Sequence, residues 1–334
     1  MEKFSMVVAD RFFKENRLFD FNDPIVNRDN CIYPFYLLRN SFRKKGIELS
    51  TDDINLPEES SVVIYNEMPK KLPHLDDYHK SYLILFESEL IRPDNWNKTK
   101  HEAFNKIFTW NDSIVDGIKY FKINFCAELP KTIRKDITHK KKLCTLISGN
   151  KRTSHPLELY SKRIEAIRWF EKNHLSEFDL YGVGWNEFIF SGPKIIRALN
   201  KIKFFKKIFS PKFPSYKGKV EQKKSTLENY RFSICYENAR DIPGYITEKI
   251  FDCFFAGCIP VYWGANNIAD HIPKECFVDK RDFLSYEAMY DYLVSMSDNE
   301  YLERLVSIEN FLNSNDANTF SAQFFSDVIV NQTT

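Results

Sequence analysis

The segment FSICYENARDIPGYITEKIFDCFFAGCIPVYWG, residues 232–264, determines the predicted fold of this chain. Apolar and polar residues alternate over 232–236, a pattern typical of a β-strand, and the chain then turns polar. A proline and a glycine mark the loop that follows. Thr247 is the predicted N-cap of a helix in which apolar residues recur at helical spacing from Ile250 to Phe255, and Gly257 ends it. The apolar run at 259–263 predicts a second strand. Two strands joined by a helix of this length predict a parallel βαβ unit.

Polar side chains collect where the predicted loop becomes the helix. Asn238 and Tyr245 lie in the loop, and Glu248 and Lys249 lie in the first helical turn. In open parallel sheets, ligands bind outside the carboxyl ends of the strands, so these four side chains are expected to face one crevice. The free N–H groups of a helix start, together with the charge of Lys249, favour a phosphate or pyrophosphate. The residues alone also fit an ordinary surface loop with a solvated lysine.

The same residues resemble the signature of the α-1,3-fucosyltransferases of glycosyltransferase family 10. The resemblance is carried by YEN at 236–238, YITEKIF at 245–251 and AGCIPVYWG at 256–264. It implies a GT-B fold with the donor, GDP-L-fucose, on the C-terminal domain. It also implies that the acceptor, an oligosaccharide or a lipid-linked glycan, is held mainly by the N-terminal domain.

Length and composition agree with a two-domain enzyme. The chain has 334 residues, of which 43% are hydrophobic and 16% aromatic, so it can bury two substantial cores. Strand and helix patterns alternate in both halves, which predicts an α/β protein: two Rossmann-like domains with an interdomain cleft, as in GT-B. We expect an N-terminal domain at 1–142, a C-terminal nucleotide-sugar domain at 143–312 and a polar tail at 313–334. Predicted strands lie at 4–9, 62–65, 82–86, 106–110, 143–148 and 178–181, and predicted helices lie at 33–45 and 157–172.

A metal ion is not indicated by the sequence. Transferases that bind a pyrophosphate through a divalent cation generally supply a D-x-D pair of carboxylates, and no such pair occurs here. Protein cations are therefore expected to meet the phosphate charge. Besides Lys249, the best candidate is Arg163, which lies beside the apolar stripe of the helix predicted at 157–172, and family members carry an arginine on the corresponding helix. A solvated surface arginine is the alternative interpretation.

An inverting transfer of fucose to an acceptor hydroxyl, which the resemblance implies, requires a base that takes the proton of that hydroxyl. The segment SYLILFESELIRP places Glu87 and Glu89 just after a predicted buried strand, at the carboxyl edge of the first domain. The resemblance implies that the base follows such a strand, and the pair Glu87-Ser88 matches one form of the family pattern. Counting back from Pro93 favours Glu89 instead. We predict Glu87 because the distance from the strand end sets how far a side chain reaches into the cleft. Both glutamates could also simply cap a following turn.

Each candidate residue of the predicted phosphate site has an expected role in the transfer. Lys249 and Arg163 are expected to neutralise the departing diphosphate, and Asn238 and Tyr245 are expected to donate hydrogen bonds to it. Glu248 is expected to accept hydrogen bonds from the ribose hydroxyls, because a carboxylate offers two acceptor oxygens to a diol.

A basic strip at 194–224 contains eleven Lys or Arg residues and the single acidic residue Glu221. Five aromatic residues are interleaved. The strip fits a solvated loop beside the donor site, a peripheral contact with anionic lipid, or a nucleic-acid strip. We do not expect nucleic acid, because the net charge is only +2 and no RNA-binding motif is present. Neither a secretory signal nor a membrane-spanning run is apparent, so a cytoplasmic location is expected. The lipid interpretation of the strip would place the protein at the inner face of the membrane. The aromatic residues are Phe204, Phe205, Phe209, Phe213 and Tyr216.

Overall fold

The computed structural model describes residues 1–188, 190, 193–202 and 211–334. These residues form two six-stranded sheets in which every paired strand is parallel. The first sheet contains β1 (Glu2–Val8), β2 (Ile47–Thr51), β3 (Val62–Asn66), β4 (Ser81–Leu85), β5 (Lys106–Thr109) and β6 (Tyr120–Lys122). The second contains β7 (Lys142–Ile147), β8 (Phe178–Tyr181), β9 (Tyr216–Gly218), β10 (Tyr230–Tyr236), β11 (Ile259–Trp263) and β12 (Val278–Asp279).

Parallel pairing requires crossover connections, and helices form some of them and flank the sheets, whereas loops and short 3-10 turns form others, such as the connection from β3 to β4. In the first half, Pro34 lies in the first turn of its longest helix, and Gly46 just beyond that helix adopts a φ of 78°. The helices of the described residues are α1 (Tyr33–Lys44), α2 (Lys98–His101), α3 (Tyr160–Asn173), α4 (Lys194–Ala198), α5 (Lys223–Leu227), α6 (Glu248–Phe255), α7 (Tyr286–Ser295), α8 (Asp298–Leu312), α9 (Asn315–Asn318) and α10 (Ala322–Thr333).

The order of strands in each sheet creates a point where the direction of winding reverses. The first sheet runs β2-β1-β3-β4-β5-β6, and the second runs β12-β11-β10-β7-β8-β9. In the second sheet the order reverses between β7 and β10, which pair with Phe232 opposite Cys144. Helices on the two sides of such a point diverge and leave a crevice at the carboxyl ends of the strands. The predicted α/β class and the two Rossmann-like sheets are confirmed.

Each sheet is covered by its own hydrophobic core. Alternate residues of β1, such as Phe4 and Met6, pack into a cluster on one face of the first sheet, while Leu83 and Leu85 of β4 pack on the other face. The second sheet lies in a larger cluster with helices on both sides. A small fourth cluster joins the two halves at the cleft, and Trp110 and Tyr245 belong to it.

The segment predicted as a polar tail differs in the structure. Residues 322–333 form α10, which packs against α1 and returns the chain to the first half. Phe325 and Ile329 are fully buried in the core of the first sheet. The apolar residues recur at helical spacing, but polar residues between them lower the average hydrophobicity and conceal the pattern. Strand β2 was also absent from the prediction, because Glu48, Ser50 and Thr51 interrupt its apolar residues.

Part of the basic strip lies outside the described residues, including Phe204, Phe205 and Phe209. The two remaining aromatic residues of the strip pack within the protein. The ring of Phe213 lies 5.1 Å from that of Trp185, and the hydroxyl of Tyr216 donates to the backbone oxygen of Gly182 at 2.8 Å. Neither ring therefore forms part of an exposed stacking surface.

Candidate active site

A cavity of about 370 Å³ is lined by residues from both halves of the chain. Glu87 follows β4 of the first sheet, and Ser148 and Asn238 follow β7 and β10 of the second. Since β7 and β10 flank the point where the strand order reverses, the cavity occupies the expected ligand crevice.

The cavity brings together nearly all of the predicted site residues. Glu89 is the exception, because its side chain is exposed and does not line the cavity. The structure thus places only one of the two candidate bases in the cleft. The predicted residues that line the cavity are Glu87, Arg163, Asn238, Tyr245, Glu248 and Lys249.

Arg163 reaches the cavity from α3 and is only 4% exposed. Its guanidinium donates hydrogen bonds to the backbone oxygen of Tyr236 at 2.6 Å and to Oδ1 of Asn238 at 3.1 Å. It also lies 5.0 Å from the ring centroid of Tyr160. Burial lowers the pKa of Arg163, but a guanidinium remains protonated in proteins. The surface-arginine alternative is wrong: the side chain is a buried, oriented cation at the cavity.

Lys249 provides the second cation from the first turn of α6. Its Nζ lies 3.1 Å from Oε2 of Glu237 and 2.7 Å from Oγ1 of Thr247. Burial opposes the charge, but the carboxylates of Glu237 and Glu248 outweigh it and raise the pKa of Lys249. The amine therefore stays protonated at neutral pH.

Glu237 anchors this part of the site, and the sequence prediction missed it. The residue is fully buried, and its carboxylate accepts hydrogen bonds from the backbone N–H of Thr247 at 2.8 Å and from its hydroxyl at 2.7 Å. Thr247 thus occupies the predicted N-cap position without capping the helix through its side chain. An acidic residue directly after a buried strand was the available signal. Gly264 leaves room for it, because a Cβ there would lie 2.5 Å from Cγ of Glu237.

Glu248 projects into the open part of the cleft, with about half of its side chain exposed. Burial opposes its ionisation, but Lys249 and Lys223 lower the pKa of Glu248 to about 2. It is therefore an ionised acceptor at neutral pH. Lys223, on α5, forms an ion pair of 2.7 Å with Asp252 and lines the cavity together with Lys151. Lys223 belongs to the basic strip at 194–224, for which a loop beside the donor site was one interpretation, whereas no motif in the sequence indicated Lys151.

Tyr245 and Asn238 are held by contacts from different directions. Tyr245 is 1% exposed, and its ring lies 4.7 Å from that of Trp110 and 6.0 Å from that of Phe125, both in the first half. The amide of Asn238 lies 3.5 Å from the Tyr245 hydroxyl. Because the Oδ1 atom of Asn238 accepts from Arg163, its N–H groups are oriented towards the tyrosine and the cavity.

Glu87 presents a carboxylate that makes no hydrogen bond within the described part of the chain. Burial raises the pKa of Glu87, while Lys151 and Lys249 act in the opposite direction. A partly buried carboxylate with a raised pKa and free lone pairs has the properties of a general base.

Among the described residues, no group of three His, Cys, Asp or Glu side chains is placed to hold a metal ion. Metal independence stays a prediction. Within the same residues, no helix is long and apolar enough to cross a bilayer.

Two parallel sheets that meet at a cleft, with a cation site at the carboxyl edge of the second, define the GT-B class of glycosyltransferase folds. Solved structures agree. An α1,3-fucosyltransferase with GDP-fucose matches over 99% of this chain and 89% of its own, with a TM-score of 0.56 at 15% identity. Anabaena Alr3699/HepE in complex with UDP and glucose matches over 99% of both chains, with a TM-score of 0.51 at 9% identity. At these identities the likeness shows the fold alone.

Sequence comparison defines the family. The pattern described as "Glycosyltransferase family 10 (fucosyltransferase) C-term" matches residues 137–305. The chain belongs to this family. It is also 34% identical over 125 residues to the α-(1,3)-fucosyltransferase FucT of Helicobacter pylori, a match that covers 34% of this chain and 26% of the relative. The matched part thus spans about a quarter of that relative's length. The resemblance inferred from the signature residues is confirmed.

Proposed function

We propose that this protein is an inverting fucosyltransferase that moves L-fucose from GDP-fucose to a GlcNAc or Glc hydroxyl of a glycan, with α-1,3 linkage and without a metal ion. One observation carries the proposal: Arg163 and Lys249 line the same cavity as Glu87, whose carboxylate makes no hydrogen bond to the residues that the structure describes. Residue chemistry alone does not distinguish fucose from another hexose. The choice of fucose therefore rests on family membership.

Arg163 and Lys249 act on the leaving group. As the bond between the sugar and the diphosphate breaks, negative charge grows on the phosphate oxygens, and two fixed cations stabilise it. Both are held in place before the donor binds, Arg163 by the Tyr236 carbonyl and Lys249 by Glu237. The N–H groups of Asn238 and the hydroxyl of Tyr245 supply further donors to the same oxygens.

Glu87 acts on the acceptor. In an in-line displacement, the attacking hydroxyl loses its proton as it bonds to the anomeric carbon, and the carboxylate of Glu87 takes that proton. The product is then α-linked from a β-linked donor. Glu248, ionised and directed into the cleft, accepts hydrogen bonds from the ribose diol.

A transfer assay with GDP-fucose and a panel of oligosaccharides, read by mass spectrometry, tests the proposal. We expect Glu87→Ala to lower the rate by on the order of 10²-fold to 10⁴-fold with little change in GDP affinity. Lys249→Ala should abolish transfer and weaken GDP binding in calorimetry. Glu89→Ala and Lys172→Ala, both at exposed positions, are the matched controls and should retain activity. Full transfer by both site variants would overturn the assignment.

A transferase of the same fold with another sugar nucleotide is the second candidate, since the HepE structure contains UDP in a similar fold. A thermal-shift screen with GDP-fucose, GDP-mannose and UDP-sugars separates the two. Stabilisation by GDP and GDP-fucose but not by UDP-sugars supports the first proposal, and the reverse pattern supports the second.

A separate prediction concerns the basic strip at 194–224. A non-catalytic protein that binds membranes or polyanions through 194–224 would bind anionic vesicles and release no GDP from any sugar nucleotide. We propose instead that the protein is an active cytoplasmic enzyme whose basic strip makes peripheral contact with the inner face of the membrane. Ile195 is exposed among the basic residues of α4, which fits a lipid surface. Co-sedimentation with vesicles that contain anionic lipid, compared with neutral vesicles, tests this contact.

A further inference from the structure

Every polar backbone atom of Phe86 and Glu87 forms a hydrogen bond with a side chain. The N–H groups of both residues donate to the same oxygen, Oε1 of Glu67, at 3.2 and 2.9 Å. The carbonyl oxygen of Phe86 accepts from the indole N–H of Trp110 at 2.6 Å, and that of Glu87 accepts from Trp96 at 3.0 Å. Such complete pairing is unusual for a loop, whose polar groups commonly bond to water.

Among the described side chains that bond to this backbone, only that of Glu67 is acidic. It follows β3, the strand beside β4, so its carboxylate lies at the carboxyl edge from which Glu87 projects. Its second oxygen accepts from the amide of Asn95, which also donates to the carbonyl of Glu87 at 3.2 Å. Glu67 has a φ of 74°, a left-handed conformation that favours glycine. The structure keeps a strained glutamate where glycine would fit the backbone without strain.

Glu87 depends on this support because its own carboxylate makes no hydrogen bond within the described residues. The direction of the side chain is therefore set by the backbone from which it starts. A catalytic group must be held within about 0.5 Å of its working position, and one misplaced by about 1 Å can lose on the order of 10²-fold in rate.

We infer that Glu67 is a positioning residue: its carboxylate holds the Phe86–Glu87 backbone so that the Glu87 carboxylate points into the cleft. The inference rests on the proposed function, in which Glu87 takes the proton of the acceptor. Glu67 itself does not line the cavity, and it acts through Glu87.

Three variants separate this role from a general effect on folding. Glu67→Gly removes the carboxylate and suits the left-handed backbone, so it avoids strain in the folded state. Glu67→Gln retains an acceptor oxygen for the two N–H groups, but its NH2 group replaces the oxygen that accepts from Asn95. Glu102→Ala, an acidic residue of the same half with 79% of its side chain exposed, is the matched control.

In the transfer assay, Glu67→Gly should lower kcat by on the order of 10²-fold while GDP affinity and the KM for the donor stay unchanged. Glu67→Gln should recover part of kcat, because it keeps the acceptor for the two N–H groups but loses the bond from Asn95, and Glu102→Ala should match the wild type. In a Glu87→Ala background, Glu67→Gly should cause no further loss, because the two residues act through one group. A kcat of Glu67→Gly within about twofold of wild type, or an equal fractional loss in both backgrounds, overturns the inference.

Hydrogen exchange at the amides of Phe86 and Glu87 gives a second readout that needs no substrate. Glu67→Gly should lose protection at these two amides and Glu67→Gln should keep it, while the β4 amides remain protected in both. Unchanged protection in Glu67→Gly overturns the positioning role. If the wild type transfers no sugar from any nucleotide donor, the proposed function fails, and this exchange experiment alone decides whether Glu67 fixes the loop.

Discussion

Glu237 lies fully buried beneath Lys249, with its Oε2 atom 3.1 Å from the lysine amine. Lys249 lines the cavity and Glu237 does not, so the pair places its positive charge on the side of the cavity. A buried carboxylate costs free energy unless it is paired, and here the amine and the hydroxyl and N–H of Thr247 pair it.

Removing the amine should therefore destabilise the fold as well as the function. Lys249→Met leaves the Glu237 carboxylate without its cation, and we expect the free energy of unfolding to fall by about 3 kcal/mol. Adding Glu237→Gln removes the unpaired charge and should restore part of that loss, although GDP binding stays weak. Denaturant unfolding of both variants checks this. If the double variant were no more stable than Lys249→Met, the pair would not be coupled.

The rate of transfer should depend on the ionisation of Glu87. A base must be deprotonated, so the rate falls as pH drops through its pKa, and burial places that pKa above the ordinary glutamate value. Lys151 lowers the pKa of Glu87, so Lys151→Ala should move the acid limb of the kcat profile to higher pH. Profiles of kcat against pH measure this, with Lys172→Ala as the unshifted control. A shift to lower pH would contradict the assignment of the limb to Glu87.

Asp112 links the two halves of the chain. One of its oxygens lies 2.8 Å from Nε2 of His271 and accepts from Asn267 at 2.9 Å. Burial opposes ionisation, but the hydrogen bonds from His271, Lys122 and Asn267 outweigh it and lower the pKa of Asp112. The stability that Asp112 contributes is thus present above its unfolded pKa, about 3.9, and is lost as pH falls through the folded pKa.

Asp112→Asn should accordingly lower the free energy of unfolding by about 1–3 kcal/mol at pH 7. The difference from wild type should shrink as the pH falls below about 4. Denaturant unfolding at several pH values checks both points, and Asp282→Asn, at an exposed position, is the control and should match the wild type. A difference that grew at low pH would show that another group controls the linkage.

The last helix should be essential to the first half. Phe325 of α10 is fully buried against Phe35 and Phe86, at centroid distances of 5.7 and 5.8 Å. Phe325→Ala should cost about 3–5 kcal/mol, since it removes a large ring and leaves a cavity. Thermal or denaturant unfolding measures the loss. Gln323→Ala, exposed on the same helix, should change stability by less than about 0.5 kcal/mol, and an equal loss in both variants would contradict the packing role.

The sequence determined the parts of the molecule that are local in the chain. The 232–264 segment contains its strand, loop, helix and strand in order, and periodicity with Gly257 and Pro243 was sufficient to locate them. The cavity residues of that segment were predictable because the carboxyl end of a parallel strand lies beside the start of the helix that follows it. Arg163 was found from its place beside an apolar stripe.

The tertiary structure decided what depends on contacts between distant segments. The fold decided between Glu87, which the sequence favoured, and Glu89, because two residues along an irregular loop can point their side chains in different directions. It also revealed Glu237 under Lys249 and Glu67 behind Glu87, and it returned 322–333 to the first core. Each of these relationships joins residues that folding brings together. The role of a buried carboxylate depends on the hydrogen-bond donors around it, and the sequence does not show which donors these are.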